Sequence, residues 1–252
     1  MIFRHYNTSI LYSAVVSLCL LAGCTTQVTN EKSSSTSGEA VSAYTQLGLA
    51  YLRRDDLERA HEALDHALEL SDTDSEALHG LALLYQRQGE DALAERYYQS
   101  ALASAQNFTQ ARNNYAAFLY AHDRFEAACT QLKQATEDLR YPRRAQLYAN
   151  LGQCQIKTGK LSDALESLSR AQTIAPDYAR IYYLLADVQH QLGQQDKAWA
   201  QLQDYFRLAG QDSNSMQLAH DIALSRNDIR TADFFARQLN ATSAAASDIT
   251  DE

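Results

Sequence analysis

The stretches LGLAYLRRDDLERAHEALDHALEL (residues 47–70) and LALLYQRQGEDALAERYYQSALAS (residues 81–104) decide the fold of this chain, because the second repeats the pattern of the first. Aligned at their first leucines, the two stretches are offset by 34 residues. Small residues recur in register, and apolar residues recur at the spacing of amphipathic helices. A period of this length indicates a stack of supersecondary units, each burying its apolar side against the next.

The period divides the chain into six units. Counted from Val41, they span 41–74, 75–108, 109–142, 145–178, 179–212 and 213–240, with Arg143 and Arg144 inserted between the third and the fourth. A small residue recurs in the second half of every unit, as Ala60, Ala94, Ala128, Ala164, Ala198 and Ala232. The period and these columns resemble the tetratricopeptide repeat, in which each unit is a hairpin of two helices. We therefore expect an all-α, right-handed superhelical solenoid of about six hairpins.

Two further columns and the turn residues support this fold. A large apolar residue stands early in most units, as Leu47, Leu81, Tyr115, Leu151 and Leu185, and a small residue usually follows it. Such small residues let two helices approach closely enough for dense packing. Gly89, Gly159 and Gly193 fall at the turn inside their units, where a left-handed backbone is often needed.

The first helices of such a stack line a concave face that binds extended or helical peptides. Positions two, five, nine and twelve of each unit are expected to point there. The predicted groove residues of the first three units are Thr45, Leu49, Leu52, His79, Leu83 and Tyr120. The apolar members are therefore predicted on a surface. Alternatively, they cover the neighbouring unit or the segment that precedes the first repeat.

The first 23 residues have the pattern of an export signal. Arg4 precedes an apolar run from Ile10 to Ala22 that is too short to cross the roughly 30 Å of membrane hydrocarbon as a helix. The run ends in Leu-Ala-Gly-Cys24, which resembles the lipobox of bacterial lipoprotein precursors. This resemblance implies that Cys24 is lipidated and becomes the mature N-terminus, so that acyl chains anchor the protein. If the leader is cut elsewhere, Cys24 is an ordinary thiol.

The residue after the lipobox and the two polar segments at the ends complete the domain organisation. Thr25 rather than aspartate follows the cysteine, which by resemblance to enterobacterial lipoproteins favours an outer-membrane location facing the periplasm. Residues 24–40 are rich in serine and threonine and are predicted to form a flexible tether. Residues 241–252 are small, polar and acidic, and are predicted to be a disordered tail.

The composition argues against several classes of function. The formal net charge is −9 and no basic block occurs, so a nucleic-acid interface is not expected. His61 and His66 are separated by roughly 140° around a helix and cannot share one metal ion. No phosphate-binding loop, nucleophile elbow or Cys-x-x-Cys motif occurs. We expect a binding protein, not an enzyme, with no cofactor, metal or small-molecule substrate.

Two cysteines lie within the repeats. Cys129 falls on the second helix of the third unit and Cys154 on the first helix of the fourth, and these helices are neighbours in a tetratricopeptide stack. A disulfide is one interpretation, since exported proteins meet an oxidising compartment. Two small buried thiols are the other.

Residues 111–128 (ARNNYAAFLYAHDRFEAA) and 141–171 (YPRRAQLYANLGQCQIKTGKLSDALESLSRA) resemble the type IV pilus biogenesis/stability lipoproteins of the PilF/PilW group. The resemblance extends over about residues 41–240. It implies a pilotin, an outer-membrane lipoprotein that carries the secretin subunit to the outer membrane and promotes its multimerisation. It also implies that the groove of the first repeats takes a secretin segment, which places Leu49, Leu52 and Leu83 at the contact.

A second function remains open from the sequence. A lipoprotein of this design also suits a general periplasmic adaptor that positions peptidoglycan enzymes or envelope assembly factors. An enzyme with an unrecognised active site is a third class, and the lack of any non-repeat domain argues against it.

Overall fold

The computed structural model describes residues 29–250 of the chain, with side chains described over residues 37–242. This part forms twelve α-helices and contains no strand. The helices are α1 (Thr29–Arg53), α2 (Leu57–Leu70), α3 (Ser75–Gln88), α4 (Asp91–Ser104), α5 (Thr109–Ala121), α6 (Phe125–Ala135), α7 (Arg144–Lys157), α8 (Leu161–Ile174), α9 (Ala179–Gln191), α10 (Gln195–Ala209), α11 (Ser213–Ser225) and α12 (Ile229–Thr250). The predicted export signal and Cys24 lie outside the described residues.

The twelve helices form six consecutive hairpins, which we call repeats one to six. Each hairpin packs on the next, and α1, α7 and α9 also touch the first helix of the following repeat. The all-α solenoid predicted from the period is therefore confirmed.

Glycines of the first helices make room for leucines of the second helices. A Cβ atom on Gly48 would lie 2.6 Å from Leu64 Cγ, and one on Gly80 would lie 2.7 Å from Leu64 Cδ2. Gly152 has the same relation to Leu168, at 2.5 Å from Cγ. Both leucines are fully buried. The small-residue columns thus reflect close helix packing, as the sequence predicts.

A left-handed residue occupies position 15 of every repeat, between the two helices of the hairpin. The six residues and their φ values are Asp55 (60°), Gly89 (75°), Asp123 (57°), Gly159 (70°), Gly193 (73°) and Asn227 (57°). Besides glycine, only asparagine and aspartate visit this conformation routinely, because their short polar side chains can bond locally. The sequence prediction named only the three glycines.

Both predicted polar segments are helical over the part that the structure describes. Helix α1 begins at Thr29, so the tether predicted at 24–40 is helical from that residue. Helix α12 runs to Thr250, through most of the tail predicted to be disordered at 241–252. Neither segment contains proline, and adding a residue to an existing helix costs far less than nucleating one. The alanines at 244–246 also favour the helix.

The two ends of the solenoid expose apolar side chains that interior repeats cover. Leu47 is 43% exposed, whereas its equivalent Leu81 is fully buried against the second helix of repeat one. No repeat precedes the first to cover Leu47. At the other end Leu224, Ile229 and Phe234 are exposed for the corresponding reason. Within the described part, no helix has both the length and the apolar character needed to span a membrane.

Candidate functional site

A groove of about 580 Å³ opens on the concave side between α1 and α3 and is closed by the start of repeat three. We call it the N-terminal groove. Four of the six residues predicted for a peptide groove line it, namely Leu49, Leu52, His79 and Leu83. The 34-residue period thus brings position nine of repeats one and two together at one site.

The leucines of the N-terminal groove differ in how far they reach the surface. Leu49 and Leu83 are partly exposed and pack against the core of repeat one. Leu52 is only 5% exposed and belongs to that core, together with Leu64 and Leu84. Leu52 therefore follows the alternative interpretation of the sequence, in which it packs against the neighbouring unit, because neighbouring helices cover most of its side chain. Leu49 and Leu83 remain as the apolar surface available to a ligand.

His79 forms the floor of the groove with only 3% of its surface exposed. Asn114 Nδ2 lies 3.0 Å from His79 Nε2, and the Phe108 ring packs edge-on at 5.2 Å between centroids. Burial lowers the pKa of His79 to about 4. The imidazole is consequently neutral near pH 7, and Nε2 accepts the hydrogen bond from Asn114 while Nδ1 carries the proton. The floor therefore carries no charge.

Charged side chains stand at opposite ends of the groove. Glu76, near the start of α3, accepts a hydrogen bond from Gln46 Nε2 at 3.3 Å. Arg87, near the end of α3, donates to the Leu52 carbonyl and to the Asp55 carboxylate, both at 2.9 Å. Arg53 lines the same end and has no carboxylate partner among residues 37–242. The groove thus has an apolar middle, one acidic end and one basic end.

The two remaining predicted groove residues lie elsewhere. Thr45 is 1% exposed and donates from Oγ1 to Asp74 at 3.3 Å, which ties α1 to the N-cap of α3. It therefore cannot present its side chain to a ligand, contrary to the prediction. Tyr120 packs against Phe125 at 5.0 Å between centroids, outside the N-terminal groove.

Arg53, Arg87 and Phe108 are part of the groove but were missed from the sequence. The arginines share position 13 of their repeats, 34 residues apart, so the period could have identified them. Phe108 precedes the first helix of repeat three, and its approach to His79 depends on how the repeats stack. No local pattern indicates that approach.

Cys129 and Cys154 are joined by a disulfide in the structure, with their Cα atoms 5.6 Å apart. The bond connects α6 to α7 across the longer connection between repeats three and four. Both cysteines are buried in one core cluster with Leu132 and Leu151. The geometry therefore fits the bridged interpretation of the sequence.

The two histidines considered as metal ligands in the sequence, His61 and His66, bond to different side chains. His61 lies 3.0 Å from the Tyr85 hydroxyl, and His66 lies 2.7 Å from Glu69. Within the described part, no group of histidine, cysteine, aspartate and glutamate residues is arranged to hold a metal ion.

Family models agree with the hairpin stack. Tetratricopeptide repeat models match residues 45–107 and 179–212, and a TPR repeat model matches residues 155–193. The second of these ranges coincides with the fifth unit read from the period. Helical hairpins in series with a concave groove define the molecule as a tetratricopeptide-repeat protein.

Comparison with whole proteins is more specific. The type IV pilus assembly protein PilF of Pseudomonas aeruginosa is 31% identical over 225 residues, covering 87% of this chain and 88% of PilF. An uncharacterized protein of Haemophilus influenzae is 28% identical over 163 residues, covering 64% of this chain and 89% of that protein. The chain belongs to the PilF family of type IV pilus biogenesis proteins, as the sequence resemblance indicates.

Solved structures agree with this assignment. The P. aeruginosa PilF structure superposes with a TM-score of 0.73 at 30% identity, covering 82% of this chain and 93% of that one. PilW, described as a widely conserved type IV pilus biogenesis factor, gives a TM-score of 0.70 at 24% identity, covering 80% of this chain and 92% of that one. The PilW likeness supports the fold.

Proposed function

We propose that this protein is a lipid-anchored pilotin of the outer membrane. In this proposal it faces the periplasm, binds the type IV pilus secretin, and promotes the localisation and multimerisation of that secretin. The observation that carries the proposal is the relationship to a type IV pilus assembly protein over 87% of the chain. The function is protein binding, without a chemical reaction.

The N-terminal groove is the proposed contact for a secretin segment. Leu49 and Leu83 keep part of their apolar surface exposed on the concave side. Fully burying a leucine side chain contributes about 1.5–3 kcal/mol, so covering these two partly exposed residues supplies a useful fraction of a binding energy. A ligand with apolar side chains at the spacing of Leu49 and Leu83 matches the floor, since the neutral His79 adds no charge there.

The proposed anchor keeps the solenoid close to the membrane. Four residues lie between Cys24 and Thr29, the first residue of α1, so five Cα–Cα steps join them. A chain of that length spans at most roughly 18 Å, however it is arranged. Along α1, at about 1.5 Å per residue, Leu49 lies roughly 30 Å from Thr29. A lipidated Cys24 would therefore keep the N-terminal groove within roughly 50 Å of the inner surface of the outer membrane.

The test is capture of the secretin by the Leu49→Glu/Leu83→Glu variant. Both positions are partly exposed, so we expect the helical content by circular dichroism to match that of the unaltered chain. Capture of the secretin from solubilised outer membranes should be lost, because two carboxylates would lie where apolar contacts form. The matched control is Leu139→Glu/Ile174→Glu, since those residues are 70% and 45% exposed and lie outside the groove.

The outcome separates the pilotin from the adaptor. Capture by the control variant but not by the groove variant supports the proposal. Unchanged capture by the groove variant refutes the assignment of the groove. Intact secretin multimers in a strain that lacks the protein would refute the pilotin role and favour a general adaptor.

A further inference from the structure

The concave face changes character beyond the N-terminal groove. Repeats three to five carry amide, phenol and guanidinium side chains there, instead of leucines. They are Asn113, Tyr120, Asn150, Gln153 and Arg180, all partly exposed. We call these five residues the donor strip.

Hydrogen bonds join four members of the strip into a row that crosses three repeats. Arg180 donates from Nη1 to Asn150 Oδ1 at 2.8 Å and from Nη2 to Gln153 Oε1. Asn150 donates from Nδ2 to Asn113 Oδ1 at 3.0 Å. Every bond runs from one repeat to the preceding one. The stacking of the solenoid therefore fixes the positions of these polar groups.

The direction of these bonds determines what the strip can offer to a ligand. The side-chain oxygens of Asn113, Asn150 and Gln153 all accept a hydrogen bond within the row. An amide nitrogen carries two N–H groups and a guanidinium carries five, so most of the donors in the row have no partner among the described residues. Each of these oxygens thus has one of its two lone pairs occupied within the row, whereas most of the N–H donors remain free toward the concave side.

The strip also contains a positive charge that no carboxylate neutralises. Within residues 37–242 Arg180 makes no ion pair, although the chain as a whole has a net charge of −9. Asp187, the one acidic residue of the helix that carries Arg180, accepts instead from Gln191 Nε2 at 2.8 Å. Tyr120 stands close to the guanidinium: burial raises the pKa of its phenol, and Arg180 opposes that rise. Asp123 and Asp187 each raise this pKa by a smaller amount than Arg180 lowers it. An arginine with free N–H groups is suited to bind a carboxylate.

We propose that the donor strip is a second peptide site, which binds an extended acidic segment through its carboxylates and main-chain carbonyls. An extended segment leaves its carbonyls free, whereas a helix uses most of its own. Neighbouring helices lie about 8–10 Å apart, so successive repeats meet roughly every third residue of an extended chain. This site lies in repeats three to five, and it does not depend on the proposed pilotin function or on the N-terminal groove.

The test is fluorescence anisotropy with the detergent-solubilised full chain and a labelled peptide of alternating glutamate and glycine. The peptide carries a C-terminal amide, so that only side-chain carboxylates are present. We expect it to bind, and we expect the matching lysine–glycine peptide not to bind. A glycine peptide with an unblocked C-terminus tests whether a terminal carboxylate can take the place of the side-chain carboxylates. Binding of this peptide or of the glutamate peptide supports the site.

Two variants locate the site. Arg180→Gln keeps an amide donor but removes the charge, and should weaken binding by about tenfold or more. Asn150→Asp keeps the oxygen that Arg180 uses. It replaces the amide nitrogen, which donates to Asn113 and carries a second N–H group, with a negative acceptor, and should weaken peptide binding as well. The matched control Arg170→Gln removes an arginine that pairs with Glu166 outside the strip and should leave binding unchanged.

The result that overturns the proposal is equal binding of acidic and basic peptides, or full binding by both strip variants. The Leu49→Glu/Leu83→Glu variant should still bind the acidic peptide. Loss of the acidic peptide in that variant would place the contact in the N-terminal groove and would also overturn the proposal. Secretin capture is measured separately, so failure of one site leaves the other to be judged by its own experiment.

Discussion

At the scale of single residues, His79 makes the stability of the protein sensitive to acid. Its pKa is about 4 in the folded chain because of burial, and its ordinary value is 6.5. Between these values the unfolded chain binds the extra proton and the folded chain does not, so stability falls as pH drops from 6.5 through 4. At pH 4 the free energy of unfolding is about 3 kcal/mol lower because of His79.

Urea unfolding of the full chain at pH 7 and pH 4 measures this effect. His79→Gln is the comparison variant, because glutamine can still accept from Asn114 and does not titrate. We expect the free energy of unfolding of the unaltered protein to fall by about 3 kcal/mol more than that of the variant over this interval. Equal pH dependence in both proteins would show that folding does not lower the pKa of His79.

The groove residues show how far a position number predicts a site. The period correctly placed Leu49, His79 and Leu83 at one groove, because residues one period apart face the same way. It could not show that Thr45 and Leu52 are covered, since their burial depends on Asp74 and on the core of repeat one. The sequence therefore predicts toward which side of the solenoid a side chain faces, but not whether neighbouring residues cover it.

At the scale of helices, Gly152 and Leu168 hold α7 against α8. A methyl group at Gly152 would lie 2.5 Å from Leu168 Cγ, so Gly152→Ala should destabilise the protein by about 1–3 kcal/mol. Leu168→Ala should cost about 2–5 kcal/mol, because it leaves a cavity. The double variant should be destabilised by at least about 1 kcal/mol less than the two single variants added together, because the new methyl group enters that cavity.

Thermal and urea unfolding of the four proteins in this cycle give the coupling. Gly38→Ala is the control, since a Cβ there meets no atom within 4 Å on the exposed side of α1. That change should stabilise α1 by about 0.5–1 kcal/mol. Strict additivity of Gly152→Ala and Leu168→Ala would contradict the packing described for this hairpin.

The helix boundaries inside the repeats were predictable from the period, but the outer ends of the first and last helices were not. Interior boundaries follow the turn at position 15, which glycine marks in three repeats and aspartate or asparagine in the others. Outside the repeats, residues 29–40 and 241–250 have no period, and their composition suggested disorder. They are helical because each continues a helix that the repeats have already formed.

At the scale of the whole molecule, the Cys129–Cys154 bond connects the first three repeats to the last three. Closing a loop of 25 residues should stabilise the protein by about 3–4 kcal/mol in the chain-entropy model. We expect a reductant to lower the stability of the exported protein by that amount. The Cys129→Ser/Cys154→Ser variant should be insensitive to reductant. Two free thiols per denatured mature chain, titrated without reductant, would contradict the bond.

The proposed function depends on an interaction at the concave face of the first two repeats. Of the fold, the sequence predicted the number, order and spacing of the hairpins. It did not predict the split of the concave face into an apolar groove and a donor strip, because that split arises from contacts between repeats such as those of Asn150 and Arg180.

Photo-crosslinking in living cells is the most direct test of contact between the N-terminal groove and the type IV pilus secretin. A benzophenone-bearing amino acid is placed at the position of Leu83 in the groove, or at the position of Leu139 as the control, and adducts are identified by mass. We expect a crosslink to the type IV pilus secretin from position 83 and none from position 139. A secretin adduct from position 139 alone, or none from position 83 in cells that assemble secretin, would contradict this expectation.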